Sequence, residues 1–169
     1  MFQVGQYVVK ANTGVCKVME IIMRAMSEEE EEREYYVLSP YLDMRSKLFV
    51  PVDSCVSNIR CILTKEEAEA FLSRIPEIGI AWIESDRLRE QHYKDAIKSN
   101  DPERLVSVIK NLYLRNKQRE QQGKKSTAVD ERYFKMAEGA LYTELAVAMD
   151  RNPEELRGEI LGFIDCSVG

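Results

Sequence analysis

The chain has 169 residues, the size of one domain or of two small ones. Its 44% hydrophobic and 31% charged content excludes a disordered chain, a collagen-like repeat and a disulfide-stapled miniprotein. No apolar run approaches the roughly 20 residues of a membrane helix, and the first residues lack the order of a signal peptide. We therefore expect a cytoplasmic protein with no membrane partner. The formal net charge of −5, taken over the whole chain, argues against a nucleic-acid-binding protein.

The first part of the chain, up to about residue 60, has the pattern of short β-strands. β-branched and aromatic residues are concentrated in four runs, at 6–9, 15–21, 34–38 and 47–52. Turn-forming residues separate these runs, and Gly14 suits a turn that needs a positive φ. Several short strands in so few residues predict a small antiparallel barrel or a strongly bent sheet.

From Thr64 onward the hydrophobic spacing becomes helical. Thr64 and Glu67 form a capping-box pattern that predicts a helix to about Ile75, where Pro76 ends it. Further helices are predicted over 85–99, from 102 to about 121, over 130–149 and from 153. The expected core of the fourth helix is Tyr133, Met136, Ala137, Ala140, Leu141, Leu145 and Val147. The predicted fold class is α+β, with a β domain over 1–62 and an all-α helical bundle over 63–169.

The residues that carry most enzyme chemistry are few in this chain. Its cysteines are Cys16, Cys55, Cys61 and Cys166, and none of them forms a Cys-x-x-Cys pair. His92 is the only histidine, and the sequence has neither a Gly-rich phosphate loop nor a nucleophile elbow. We therefore predict reduced, apolar thiols, no metal site, no cofactor and no enzymatic activity. The alternative of an enzyme would need two buried carboxylates with strongly raised pKa values in one cleft.

Charge is unevenly distributed along the chain. An acidic run at 28–32 is typical of a solvated loop. Residues 87–132 contain twelve basic and seven acidic residues, a surplus of five positive charges. Six of the basic residues, between Lys110 and Lys125, accompany a single acid, Glu120. Such a segment suits contact with phosphates, and it equally suits an ordinary solvated helix end whose cations complement the dipole.

Trp82 is the only tryptophan of the chain. Its apolar neighbours Ile80, Ala81 and Ile83 favour a core anchor. The alternative is an exposed wedge beside the basic helices, because aromatic side chains can insert at a base step from the minor groove.

Several segments together resemble the CarD family of bacterial transcription regulators, whose N-terminal domain type also occurs in transcription-repair coupling factors. In the first half they are the residues at 4–9, Gly14-Val15, 34–38, 49–51 and 57–60. In the second half they are Tyr93-Lys94, 99–101, 108–115, Ala137-Glu138 and 144–146. The resemblance covers nearly the whole chain.

This resemblance implies a Tudor-like β barrel that binds the β subunit of RNA polymerase and a helical domain that touches promoter DNA and stabilises the open complex. Arg24 matches a basic residue of the polymerase-binding surface. A second basic position falls on Phe49, which is a departure, and Lys47 on the same predicted strand face is a substitute. Lys94 matches a DNA-contacting position, and Arg89 occupies the position of the family's wedge tryptophan.

The complete candidate DNA-binding set combines the basic segment with the tryptophan. It consists of Trp82, Arg87, Arg89, Lys94, Lys110, Arg115 and Lys117. Because polymerase would hold the helical domain close to DNA, weak contacts suffice, and a net acidic chain is no obstacle. The alternative function is an adaptor that binds polymerase without a direct DNA role. Helices near the C-terminus can also bury surface against a second copy, so the sequence leaves the oligomeric state open.

Overall fold

The computed structural model describes residues 1–29, 31–53, 59–80 and 82–168. The predicted features on Glu30, Cys55, Ser57, Asn58 and Ala81 lie outside the described residues. The chain divides into two compact units, Met1–Ile62 and Leu63–Gly169. The first unit holds all the strands and the second holds the helices.

The first unit is one antiparallel sheet. Its strands are β1 (Tyr7–Lys10), β2 (Gly14–Arg24), β3 (Arg33–Pro40), β4 (Leu48–Pro51) and β5 (Ile59–Cys61). Their order across the sheet is β4-β3-β2-β1-β5. Within the described residues β4 and β5 are the two edges and do not pair with each other. The predicted antiparallel β structure is confirmed, whereas closure of a barrel is not.

The core of this unit lies on one face of the sheet. Asn12 and Gly14 form the β1–β2 turn with φ values of 63° and 89°, which explains the glycine. Tyr36 is fully buried, and its hydroxyl accepts a 2.9 Å hydrogen bond from the backbone N–H of Phe2. The core residues are Val8, Cys16, Val18, Tyr36, Leu38, Val50 and Ile59.

A β-bulge interrupts the long strand β2. The register shifts between Val18 and Glu20, and Met19 has no partner on β3. Before the bulge, Val18 lies opposite core residue Leu38, so even-numbered residues point into the core. Past the bulge the alternation is reversed, because one extra residue has been inserted. Arg24 therefore lies on the face opposite the core.

The second unit contains five α-helices, as predicted. They are α1 (Lys65–Arg74), α2 (Asp86–Ser99), α3 (Pro102–Gln121), α4 (Ala128–Met149) and α5 (Pro153–Val168), with a short 3-10 helix at Ile75–Glu77. The capping box of Thr64 and Glu67 is present. Asp101 caps α3 as predicted, and Thr127 caps α4 slightly before its predicted start. None of the helices, over the residues described, is both long and apolar enough to cross a membrane.

The helices share one hydrophobic core, to which α3 and α4 contribute most residues. Tyr133, Ala137, Leu141 and Leu145 are buried along α4, as predicted. The prediction for Met136 is wrong, because its side chain is 46% exposed and lies outside that stripe. Polar residues are also buried among these helices and are paired there. The Tyr93 hydroxyl donates a 2.7 Å hydrogen bond to Asn111 Oδ1.

Candidate functional site

The predicted polymerase-binding residues meet in part on the first unit. The Arg24 guanidinium lies 5.4 Å from the centroid of the Phe49 ring, a cation–π contact. Phe49 is 38% exposed although it belongs to a strand, and its register partner on β3 is Val37. The bulge in β2 makes this contact possible, because it brings Arg24 to the face of Phe49. Lys47 is exposed but precedes β4, so it extends the surface from a turn rather than from the predicted strand.

The outer half of β2 is unusually apolar for an exposed strand. Met19, Ile21 and Met23 are all exposed there. The described residues of the acidic run that follows are exposed too, as predicted for a solvated loop. Flexible methionine side chains flanked by charges are typical of protein-contact surfaces. This end of the sheet therefore has the composition of a docking surface for another protein.

Trp82 lies in the connection between the 3-10 helix and α2. Its side chain is 56% exposed, so the predicted core anchor is wrong and the wedge alternative fits its position. Arg87 and Leu88, in the first turn of α2, are exposed as well. Arg87 forms no ion pair with any residue that the structure describes. The connection thus presents an exposed aromatic ring near a cation along the chain.

Two predicted DNA-binding residues are buried instead. The Lys110 side chain is only 1% exposed and donates hydrogen bonds to the carbonyl oxygens of Pro76, at 3.2 Å, and Ile78, at 2.7 Å. Burial lowers the pKa of Lys110. Arg89 donates to the carbonyl oxygen of Ile83 and to the carboxylate of Asp86. Because neither side chain can reach a phosphate from these positions, the prediction of DNA contact is corrected for both.

The burial of these two cations has a structural purpose. Lys110 holds the chain just before Gly79, and Arg89 holds it at Ile83. The two side chains therefore fix the two ends of the connection that carries Trp82. Their role is to position that connection rather than to contact a ligand of their own.

Lys94 and Lys117 are exposed but already paired. Lys94 Nζ lies 3.1 Å from Glu90 Oε1, and this hydrogen bond raises the pKa of Lys94. Lys117 Nζ lies 2.9 Å from Asp165 Oδ1. Hydrogen bonds from Tyr113 and Lys117 lower the pKa of Asp165. Such surface pairs are weak, so both ammonium groups can exchange their partner for a phosphate.

Arg115, the remaining member of the predicted set, lines a cavity of about 240 Å³ between α2, α3 and α4. Its Nε donates a 2.8 Å hydrogen bond to Asp130 Oδ2. The other charged residues of the lining are Asp86, Arg89 and Glu90. The sequence analysis missed this cavity, although Asp86, Arg89, Glu90 and Tyr93 share one face of α2 by their i, i+3, i+4, i+7 spacing.

Several other titratable groups are shifted by burial. Cys16 is fully buried in the sheet, and burial raises the pKa of its thiol to about 11. Glu138 on α4 accepts hydrogen bonds from the Tyr142 hydroxyl and from Arg157 Nε, both at 3.2 Å, and burial raises its pKa. In the part of the chain that the structure describes, no group of three or more metal-ligating side chains is arranged to hold an ion.

Residues 2–63 match the family model of the CarD-like/TRCF RID domain. The match spans the whole five-stranded sheet, including Arg24 and Phe49. No curated protein matches the chain.

Proposed function

We propose, since the first unit is a CarD-like/TRCF RID domain, that this chain is a transcription regulator that binds RNA polymerase and contacts promoter DNA. The first unit would bind the β subunit of the polymerase. The helical unit would hold the upstream edge of the melted DNA and so stabilise the open complex. The observation that carries this proposal is the family match over residues 2–63. No reaction is proposed for the chain.

The polymerase-binding surface is the end of the sheet that holds Arg24 and Phe49. An exposed guanidinium on an aromatic ring supplies both charge and apolar area to a partner. The neighbouring edge strand β4 offers backbone hydrogen-bonding groups with which a strand of the partner can pair. A Tudor-like closure of the domain would leave this surface accessible.

The DNA-binding surface is centred on Trp82. An exposed tryptophan can unstack a base step, and Arg87 next to α2's first turn can neutralise a phosphate. Lys94 and Lys117 add weaker contacts after exchanging their carboxylate partners. Polymerase bound to the first unit raises the local concentration of DNA, so a cytoplasmic protein of net charge −5 can act at a promoter.

A specific observation favours the adaptor as a second candidate. Arg89 and Lys110 are buried, and Lys94 and Lys117 are paired with carboxylates. The helical unit therefore presents less free positive charge than its sequence promises. As an adaptor the chain would bind polymerase through the same surface and use the helices as a spacer.

The first experiment measures retention of RNA polymerase on the immobilised full chain. Arg24→Glu reverses the charge beside Phe49, and we expect it to weaken retention by about tenfold or more. Arg104→Glu is the matched control, because it makes the same charge change at an exposed residue of the helical unit. Equal retention of the wild type and Arg24→Glu would contradict the assigned surface.

The second experiment separates the regulator from the adaptor. A labelled promoter fragment is titrated with the chain in the presence and absence of polymerase, and the lifetime of the open complex is measured. We expect binding to depend on polymerase and the lifetime to fall several-fold with Trp82→Ala. Arg104→Glu again serves as the control. An unchanged lifetime in Trp82→Ala and Arg87→Glu would favour the adaptor, and equal DNA binding without polymerase would refute the tether.

A further inference from the structure

The cavity between α2, α3 and α4 is not explained by polymerase binding or by a wedge. Its volume of about 240 Å³ far exceeds the ~10–15 Å³ that a single water molecule requires. It is smaller than the roughly 300–1,000 Å³ of pockets for drug-sized ligands. A ligand of one or two rings is therefore the size that fits.

The charged lining contains both donors and acceptors. Arg89 and Arg115 contribute two guanidinium groups, and Asp86, Glu90 and Asp130 contribute three carboxylates. An anion would face an excess of negative charge, and an ionic ligand would have to break existing ion pairs. A neutral ligand with donor and acceptor groups along one edge would leave those ion pairs in place.

The geometry around Arg115 leaves room for such a ligand. Its Nη2 atom lies 3.9 Å from Asp86 Oδ1, which is beyond hydrogen-bond distance. Asp86 is 85% exposed, so its carboxylate can turn toward an arriving donor. Arg115 is anchored through Nε to Asp130, which fixes the plane of its guanidinium. One donor group and one acceptor group are thus available at the same edge of the cavity.

The walls of the cavity are partly apolar. Tyr93 contributes ring atoms from α2, and Val129 contributes an exposed side chain from the first turn of α4. A flat ring can pack against these walls while its edge meets the charged groups, as purine bases do in base-binding pockets. Arginine pairs with the O6 and N7 acceptors of guanine, and carboxylates accept from exocyclic amino groups.

From this we infer that the cavity binds a nucleobase, with guanine preferred. The base can come from a free mononucleotide or from an unpaired DNA strand. The inference goes beyond the proposed function and is independent of polymerase, because all the residues that carry it belong to the helical unit.

The test titrates the full chain, without polymerase, with guanosine monophosphate by isothermal calorimetry. We expect binding that Val129→Phe weakens by at least about tenfold, because the ring obstructs the cavity. Met136→Phe is the matched control, since Met136 is exposed on the same helix and does not line the cavity. Thermal unfolding verifies that both variants remain folded. Equal affinity in the wild type and Val129→Phe would overturn the inference.

Further ligands identify the recognised group and its source. Cytidine monophosphate should bind more weakly than the guanosine ligand, and inorganic phosphate should not compete. Short single-stranded DNA with one guanine is compared with the same strand lacking that base. Binding of the mononucleotide alone assigns a free nucleotide, and binding of the strand alone assigns unpaired DNA. Displacement by phosphate alone, or the absence of binding by either source at millimolar concentration, would refute the inference.

Discussion

Replacing Lys110 by methionine removes a buried ammonium group while preserving most of the volume of the side chain. In the native structure this group donates to the carbonyl oxygens of Pro76 and Ile78. Both carbonyls lie at the end of the 3-10 helix, just before the connection that carries Trp82. The substitution therefore removes the support of that connection and leaves two acceptors without their donor.

The magnitude follows from the two lost hydrogen bonds. Each buried acceptor left without a donor costs about 1–3 kcal/mol. Water can reach Pro76, which is exposed, and the variant no longer bears the desolvation cost that lowers the pKa of Lys110. Both effects favour the lower end of the range, so we expect a loss of about 2 kcal/mol in the free energy of unfolding. That loss reduces the ratio of folded to unfolded molecules about 30-fold.

The assay is urea denaturation, followed by circular dichroism for the helices and by fluorescence of Trp82. Lys110→Met should lower the midpoint without changing the slope of the transition. Lys117→Met is the matched control on the same helix, because Lys117 is half exposed and its ion pair with Asp165 is worth less than about 1 kcal/mol. Equal stability of the two variants would refute the reasoning. So would weaker DNA binding in Lys110→Met with no loss of stability, since the lysine would then face its ligand.

Three further predictions concern other buried or capping groups. At pH 8 only about one thiol in a thousand is ionised for a pKa near 11, so Cys16 should resist iodoacetamide until the chain unfolds, as followed by mass spectrometry of its peptide. The raised pKa of Glu138 means that the unfolded chain loses this proton first. Its contribution to stability should therefore decline as the pH rises from about 4.5 through the raised native pKa, and Glu138→Gln should abolish that decline in urea titrations at several pH values. Thr64→Ala removes the capping-box hydroxyl and should cost about 1 kcal/mol in thermal unfolding.

Each of these predictions has an outcome that contradicts it. Labelling of native Cys16 as fast as exposed Cys61 would show that the thiol is accessible. A difference between the wild type and Glu138→Gln that is constant with pH would show that the native pKa is not raised. Unchanged stability in Thr64→Ala would mean that water replaces the hydroxyl without cost.

The helices were predictable because their ends are encoded locally. Thr64 with Glu67, and Asp101 with Pro102, place two starts from a few neighbouring residues. Local hydrogen bonds to the first N–H groups of a helix depend on little else in the chain. The strands were located in the same way, by β-branched runs between turns. Whether the sheet closes depends on pairing between distant segments, which no local pattern reports.

The candidate site was less predictable, since exposure is a tertiary property. Lys110 and Lys117 are both basic residues of one helix, yet one is buried and the other lies at the surface. The difference arises because the 3-10 helix packs beside α3 and offers its carbonyls to Lys110. Trp82 shows the reverse case, because a single aromatic residue in a connection has no periodicity that would reveal its side. Only the assembled helices decide these positions.

The bulge at Met19 also determines which changes in chain length the sheet can tolerate. Deleting Met19 would join Val18 directly to Glu20, and every remaining residue of β2 would keep its partner on β3. Deleting Ile21 instead would move the preceding residues to opposite faces up to the bulge. Among relatives with one residue fewer in this strand, we therefore expect the gap at Met19. Selection on this hairpin would act on residue count as strictly as on residue type, because Arg24 reaches Phe49 only in the correct phase.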